Sequence, residues 1–146
     1  VERARASFAR LINADVDEIA VTSSVSHAAS AFASALRFDG DRRVVLASSA
    51  EFPTVGHVWL AQRERGAAVQ WVPMSGDGTI DPAHYDAGIG DRTLVVSACH
   101  AYFVNGFKQD IGRIAQLAVL PRQRGDFIHE YACSTSSCAN GGGGPV

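Results

Sequence analysis

The chain has 146 residues, of which 47% are hydrophobic and 19% are charged, a composition typical of one globular domain and not of a disordered chain. Lys and Arg total 13 against 15 Asp and Glu, so a net charge of -2 offers no basic surface to a nucleic acid or an anionic membrane. No apolar run approaches the roughly 20 residues of a membrane-spanning helix. The sequence starts with neither a methionine nor an apolar signal core. We therefore expect a chain cut at its front, with no nucleic-acid and no membrane partner.

The three cysteines, Cys99, Cys133 and Cys138, are odd in number and unevenly spaced, which argues against a secreted disulfide framework and indicates the reducing cytoplasm. Cys133 and Cys138 could join His129 around a metal ion, but the set lacks a fourth ligand and a recognisable zinc motif. Cys99 precedes His100, an order that suggests a nucleophile beside its base. Because adjacent strand residues point to opposite faces, a buried cysteine next to a loop histidine is the favoured interpretation. The sequence therefore predicts no metal site and no catalytic residue.

Short β-branched runs alternate with longer Ala- and Leu-rich segments over the first 118 residues, a pattern typical of a parallel α/β fold. Apolar residues at helical spacing predict helices over residues 4–12, 26–37, 53–66 and 110–118, with a short helical turn at Pro82. Strands are predicted over residues 17–22, 43–47, 68–73 and 93–97. The predicted fold class is therefore α/β.

Beyond Leu120 neither the helical nor the strand period is sustained, and glycines fill positions 141–144. We expect residues 119–146 to form an unpatterned, disordered tail that follows a domain over residues 1–118. An alternating α/β domain continues with a strand at this point, so the change of composition suggests a truncation or a shift of reading frame. The nucleotide sequence of this segment tests that hypothesis.

Two loops that follow predicted strands carry residue types suited to an anionic, planar ligand. Residues 22–28 place serine hydroxyls and backbone N–H groups at a helix start, where the helix dipole favours a phosphate, although a serine that only caps the helix has the same pattern. Phe52, in the segment Glu51-Phe52-Pro53-Thr54, either stacks on a planar ring or packs in the core ahead of a proline-initiated helix. A further polar and aromatic segment, 97–106, follows the last of these strands.

Taken together, residues 3–118 resemble the large domain of class V aminotransferase-type enzymes, the fold-type I pyridoxal phosphate family that includes cysteine desulfurases and kynureninases. Three segments in the family's order carry the resemblance, namely 17–27, 51–54 and 94–111. The resemblance implies a three-layer αβα architecture around a mostly parallel sheet, of which this chain is an incomplete large domain. It also implies an amino-acid substrate and a homodimer for the parent enzyme.

The resemblance implies cofactor-binding roles for four residues. Ser24, Val25 and Ser26 belong to the phosphate loop, in which the last two cradle the phosphate of pyridoxal phosphate. Phe52 occupies the kynureninase-like form of the segment whose ring stacks on the pyridine, where a desulfurase has histidine. The family's aspartate that pairs with the pyridine nitrogen, and its lysine that bonds to the cofactor, have no counterpart. Lys108, the only lysine, lies in the loop segment and is interpreted as a solvated cation.

The sequence thus favours a fragment of a pyridoxal phosphate-dependent transferase or lyase that binds the cofactor phosphate weakly and does not turn over an amino acid. The alternative is a non-catalytic α/β interaction module whose polar loops bind a partner or nothing at all. A Rossmann-type nucleotide binder is disfavoured because no Gly-x-Gly-x-x-Gly turn follows a predicted strand.

Overall fold

A computed structural model describes residues 1–119 and 128–132, in which helices and strands alternate. The helices are α1 (Glu2–Ile12), α2 (Val25–Ala35), α3 (Pro53–Ala61), α4 (Pro82–Gly88) and α5 (Ile111–Val119). The strands are β1 (Val44–Ser48), β2 (Ala68–Val72), β3 (Thr93–Cys99) and β4 (Ile128–Ala132). Within these described residues, no helix has the length and the apolar character that crossing a membrane requires.

The four strands form one sheet in the order β2-β1-β3-β4, and every neighbouring pair is parallel. The chain steps from β1 outward to β2, crosses back over β1 to β3, and continues to β4. Because parallel crossovers are right-handed, this reversal places α3 on one face of the sheet and α4 and α5 on the other. The reversal lies between β1 and β3, and ligands of open α/β sheets bind outside the carboxyl ends of the strands at such a point.

Side chains along β1 alternate between two apolar clusters, one on each face of the sheet. Val45 and Ala47 pack with Trp59 of α3, whereas Leu46 packs with Tyr85 of α4 on the opposite face. Burial of both faces explains why β1 is apolar without interruption, since a parallel strand covered on both sides has no solvent-facing positions. The two clusters confirm the predicted α/β fold and its three αβα layers.

The helix boundaries follow the local signals in the sequence. Pro53 and Pro82 each occupy a first helical turn, where the missing N–H has no intrahelical acceptor to lose. Asp81 caps α4, because its carboxylate accepts the backbone N–H of Ala83 at 2.8 Å. The α3 segment ends through a 3₁₀ turn at Gly66, whose φ of +98° is the left-handed conformation that glycine adopts without strain. These elements were predicted correctly to within a few residues.

The strand predicted over residues 17–22 is wrong. Val16–Glu18 form a 3₁₀ turn, closed by a hydrogen bond of 2.8 Å from the backbone N–H of Asp15 to the Glu18 carboxylate. The Arg5 guanidinium donates to the carbonyl oxygens of Val16 and Ile19, both at 2.8 Å. Because these bonds use the backbone groups that a strand offers to its neighbour, the segment runs beside α1 and does not join the sheet.

Ile128–Ala132 lie within the segment 119–146 that the sequence analysis expected to be unpatterned. These residues form β4, which pairs with β3 from Val95↔Ile128 to Cys99↔Ala132. An unpaired sheet edge offers a row of N–H and C=O groups, and a short segment with a β-branched and an aromatic residue is suited to pair with it. The further strand whose absence suggested a truncation is therefore present. Residues 120–127 and 133–146, and the side chains of 128–132, lie outside the described residues. His129, Cys133 and Cys138, which were considered and disfavoured as metal ligands, fall among them.

Candidate functional site

The chain leaves β1 through a turn that hydrogen bonds hold against β2. The backbone N–H of Ser49 donates to the carbonyl of Val72 at 2.9 Å, and the N–H of Met74 donates to the Ser49 hydroxyl at 2.9 Å. The Ser48 hydroxyl accepts the N–H of Ala50, also at 2.9 Å. The carboxyl end of β1 is therefore fixed, and it delivers the segment 51–54 to the edge of the sheet where a ligand is expected.

The start of α2 carries the predicted phosphate loop. Ser24 caps the helix, and its hydroxyl accepts the backbone N–H of His27 at 3.1 Å. The first N–H groups of a helix have no intrahelical acceptor, so those of Val25 and Ser26 stay available to an anion. Ser24 thus acts as the helix cap that the simpler interpretation predicted, and anion-binding capacity at this loop resides in the two residues after it.

A hydrogen bond joins the starts of two helices next to this loop. The Ser26 hydroxyl donates to the hydroxyl of Thr54 at 3.0 Å, and these residues are the second positions of α2 and α3. The positive ends of two helix dipoles therefore lie side by side, which favours a negatively charged group more than one helix alone does. Thr54 was not predicted as a site residue; a hydroxyl in the first turn of a proline-initiated helix was the signal available for it.

Phe52 is not a core residue, as its alternative interpretation required. Its side chain is 44% exposed, immediately before α3. Its ring meets that of Phe103 edge to face, with centroids 5.2 Å apart and planes at 73°. Phe103, in the loop after β3, is itself 51% exposed. The two rings form an open aromatic surface at the reversal point between β1 and β3. Phe103 belongs to the polar and aromatic segment 97–106, but its contact with Phe52 was not predicted.

Behind this surface lies a buried chain of hydrogen bonds that was not predicted. The indole N–H of Trp59 donates to the Ser97 hydroxyl at 3.0 Å, and this hydroxyl donates to Oε2 of Glu51 at 2.9 Å. Burial raises the pKa of the Glu51 carboxyl, while Ser97 and the backbone N–H of Phe52 act in the opposite direction. The signals for this chain were a serine inside the apolar run of β3 and a helical tryptophan whose N–H needs an acceptor.

We predict that the raised pKa of Glu51 gives wild type a component of stability that declines with pH. The folded carboxyl holds its proton more tightly than the unfolded one, whose usual pKa is 4.5, so this component is present below that value. It is lost as pH rises through the folded pKa. In urea unfolding at a series of pH values, Glu51→Gln should remove the decline. Asp77→Asn is the control of opposite sign, because Thr79 lowers the pKa of Asp77; an identical response of both variants would contradict the prediction.

Two buried phenols lie on the other face of the sheet below the site. The Tyr102 hydroxyl donates to Oε1 of Gln109 at 2.5 Å. Burial raises the pKa of Tyr102 to about 12 and raises that of Tyr85 as well, although the nearby hydroxyl of Ser48 opposes both shifts. Both phenols therefore remain protonated at neutral pH, and that of Tyr102 serves as a hydrogen-bond donor to Gln109.

The remaining candidates from the sequence do not form a reactive group. Cys99 is buried, and its thiol donates to the carbonyl of Ala101 at 3.0 Å, in agreement with a structural cysteine beside a half-buried His100. Lys108 is exposed, and its backbone pairs with that of Ala101. Across residues 1–119 and 128–132, no three His, Cys, Asp or Glu side chains converge in the way a metal ion requires.

A cavity of about 270 Å³ opens beside the buried chain of hydrogen bonds, between the start of α3 and the end of β2. It is lined by Ser48, Ser49, Glu51, Pro53, Gly56, His57, Leu60 and Trp71. The predicted cofactor-binding residues do not line it, although Glu51 and Pro53 flank Phe52 on both sides. The structure therefore gathers the predicted residues at the Ser26–Thr54 junction and the aromatic surface, and not in this cavity.

Comparison of the sequence with protein-family profiles identifies the family of this chain. Residues 1–125 match the sequence profile of the family described as aminotransferase class-V. The chain belongs to this family. The match continues past residue 118, where the sequence analysis ended the domain, and so extends the class-V region toward β4.

Two class-V relatives show how much of such a protein the chain represents. The uncharacterized aminotransferase YcbU of Bacillus subtilis is 38% identical over 117 residues, which are 80% of this chain and 30% of the relative. A probable cysteine desulfurase of Methanothermobacter thermautotrophicus is 33% identical over 124 residues, or 81% of this chain and 29% of the relative. The chain therefore spans about a third of the length of these curated relatives.

Solved structures confirm the fold-type I architecture of this class-V chain. DndA from Streptomyces lividans superimposes with a TM-score of 0.73 at 26% identity, over 79% of this chain and 33% of DndA. The cystine C-S lyase C-DES in complex with its product cysteine persulfide gives 0.73 at 18% identity, over 94% of this chain and 36% of the lyase. A mutant of C-DES, with a TM-score of 0.72 at 17% identity and coverage of 94% and 36%, holds glycine covalently linked to its PLP cofactor.

Proposed function

We propose that this class-V chain is the part of a pyridoxal phosphate-dependent transferase or lyase that binds the phosphate and the ring of the cofactor. The observation that carries the proposal is the Ser26–Thr54 junction of two helix starts beside the exposed ring of Phe52. Family membership supports it, and so does the cofactor in the C-DES structure. The aminotransferase and desulfurase names of the relatives support an amino acid as the substrate of the parent enzyme.

The described residues fit the chemical groups of pyridoxal phosphate. The N–H groups of Val25 and Ser26, together with the hydroxyl of Thr54, offer donors to a phosphate at the positive ends of two helices, and the Ser26 hydroxyl orients that of Thr54. The open surface of Phe52 offers a stacking partner to a planar ring. Bound there, the cofactor supplies an electron sink for negative charge at the substrate α-carbon, while the chain anchors and orients it.

We further propose that the chain does not turn over substrate by itself. Its single lysine, Lys108, is exposed in the loop after β3, and the sequence has no counterpart of the family's pyridine-pairing aspartate. A phenylalanine at position 52 supports the kynureninase-like form of the ring-stacking segment, as the resemblance implied. The homodimer of the parent enzyme and its cytoplasmic location belong to the same proposal, the latter supported by the odd number of cysteines.

Binding of pyridoxal phosphate, compared with pyridoxal, tests the proposal. We expect the chain to bind the phosphorylated compound reversibly, to bind pyridoxal much more weakly, and to lose the ligand to inorganic phosphate. Phe52→Ala should weaken binding roughly 2- to 10-fold because it removes one aromatic contact, whereas Phe8→Ala on α1 should not. Equal binding of both compounds, or indifference to phosphate, would contradict the proposed phosphate site. Borohydride should fix no cofactor to Lys108.

One observation favours the alternative function as a non-catalytic interaction module. The large apolar residues of α1, namely Phe8, Leu11 and Ile12, are exposed. Exposed apolar patches of this kind occur where proteins bind one another. Under this alternative the chain associates through α1 and does not bind pyridoxal phosphate. Leu11→Glu would then abolish an association measured by sedimentation, and neither wild type nor the variant would bind the ligand.

A further inference from the structure

Glu51 stands directly before the proposed ring-stacking residue, and its side chain turns away from that ring into the protein. The carboxyl is only 8% exposed and accepts the Ser97 hydroxyl at 2.9 Å. Ser97 in turn accepts the indole N–H of Trp59 at 3.0 Å. One carboxyl group thus ties the loop after β1 to β3 and to α3, the two elements that flank the ring.

Burying a carboxyl group is unfavourable unless hydrogen bonds compensate, so an apolar residue would fill this place at lower cost if packing alone were needed. The location of the group supplies a different reason for it. The backbone at Phe52 is the start of α3, and its side chain is 44% exposed with one edge contact to Phe103. A ring as exposed as that of Phe52 has few side-chain contacts that could set its direction. Its direction therefore depends on how the backbone at Phe52 is held.

We propose that Glu51 is a positioning residue that sets the backbone and the ring direction of Phe52 through Ser97 and Trp59. This inference rests on the proposed function in one respect, which is that Phe52 presents its ring to the cofactor. Glu51 adjoins Phe52 and its carboxylate accepts the Ser97 hydroxyl; protonation of the carboxyl weakens this bond, so the direction of the ring responds to the protonation state of Glu51.

The titratable groups that face Glu51 come from several elements. Glu51 interacts electrostatically with Tyr85 on α4 and with Tyr102 after β3, and Cys99 at the end of β3 acts on both tyrosines. His57 on α3 lines the same cavity as Glu51. The pKa values of both tyrosines are raised, so these phenols do not titrate between acid and neutral pH. The variant His57→Gln serves as a control that distinguishes a pH effect of the His57 imidazole from one of the Glu51 carboxyl.

Fluorine NMR of the full chain labelled with fluorophenylalanine provides the test, with the Phe52 signal assigned by its loss in Phe52→Leu. We expect this signal to move with pH in one transition above the usual glutamate range. The transition should persist in His57→Gln and in Glu64→Gln, an exposed glutamate of the 3₁₀ turn after α3, and disappear in Glu51→Gln. Ser97→Ala should shift it to higher pH, because a donor to the carboxylate is lost.

A transition that survives Glu51→Gln, or no transition in wild type, would overturn the positioning role. A purely structural role would leave the Phe52 signal unchanged in the isosteric Glu51→Gln protein. As a second readout, we expect Glu51→Gln to weaken pyridoxal phosphate binding roughly 2- to 10-fold, the loss expected for a misdirected aromatic contact. If the Phe52 signal titrates with Glu51 but the ligand does not bind, the proposed function fails and the positioning role stands.

Discussion

Trp59→Ala is expected to lower the free energy of unfolding by about 3–5 kcal/mol, the range for removing a large buried aromatic side chain. Trp59 is fully buried, packs edge to face on Phe32 with ring centroids 6.3 Å apart, and donates to Ser97. Its loss creates a cavity against the sheet and leaves the Ser97 hydroxyl without its donor. This loss is a large fraction of the about 5–15 kcal/mol by which domains are typically stable. Urea unfolding followed by circular dichroism measures the change.

Comparison of Trp59→Ala with Trp59→Phe separates the contribution of the Trp59 ring from that of its hydrogen bond to Ser97. Trp59→Phe keeps most of the apolar volume and removes the N–H, so we expect a loss of about 1–3 kcal/mol. Trp71→Ala is the matched control, since Trp71 is 37% exposed and loses fewer contacts. Equal destabilisation by Trp59→Ala and Trp71→Ala would show that the buried chain of hydrogen bonds does not organise the core beside the site.

Ser26→Glu is expected to weaken pyridoxal phosphate binding by about 100-fold or more, because it places a carboxylate where the phosphate is proposed to bind. Two like charges about 4 Å apart repel by about 4 kcal/mol near a protein surface. The same substitution should not destabilise the fold, since an acidic side chain in the first turn of a helix interacts favourably with the helix dipole. A fluorescence titration with the ligand measures the loss of affinity, and urea unfolding measures the stability.

The control for charge is Ser7→Glu, which makes the same change on the exposed surface of α1. We expect this variant to bind pyridoxal phosphate like wild type. The proposed phosphate site would be wrong if both variants lost affinity equally, because net charge would then explain the effect. It would also be wrong if Ser26→Glu bound the ligand normally.

Most of the fold could be predicted from residue patterns because its elements have strong local signals. The uninterrupted apolar run of β1 and the prolines at the starts of α3 and α4 are examples. The segment 17–22 could not be read in this way. It has the short apolar pattern of a strand, but long-range hydrogen bonds from Arg5 use the carbonyl group of Ile19 within it and that of Val16 just before it. β4 was missed for the converse reason, since the open edge of β3 determines its pairing more than its own composition does.

The sequence allowed prediction of site residues within single loops, but not of the contacts between residues of different loops. Residues 22–28 and Phe52 were considered because each follows a predicted strand with suitable chemistry, and the resemblance to class V enzymes then implied the roles of Ser24, Val25, Ser26 and Phe52. The bond from Ser26 to Thr54 spans 28 positions, and the bond from Ser97 to Glu51 spans 46. Contacts of this kind depend on how α2, α3 and β3 pack, so residue patterns indicate the members of the site without showing which of them meet.

Backbone NMR with a titration of pyridoxal phosphate tests the central claim most directly, because it shows where the ligand lies on the chain. We predict that the largest shifts occur at the amides of Val25, Ser26 and Thr54 and in the ring of Phe52. Inorganic phosphate alone should move the three amides and leave the ring unchanged. Shifts confined to the exposed apolar residues of α1, or the absence of any shift at saturating ligand, would contradict a cofactor site at the start of α2 and favour the interaction module.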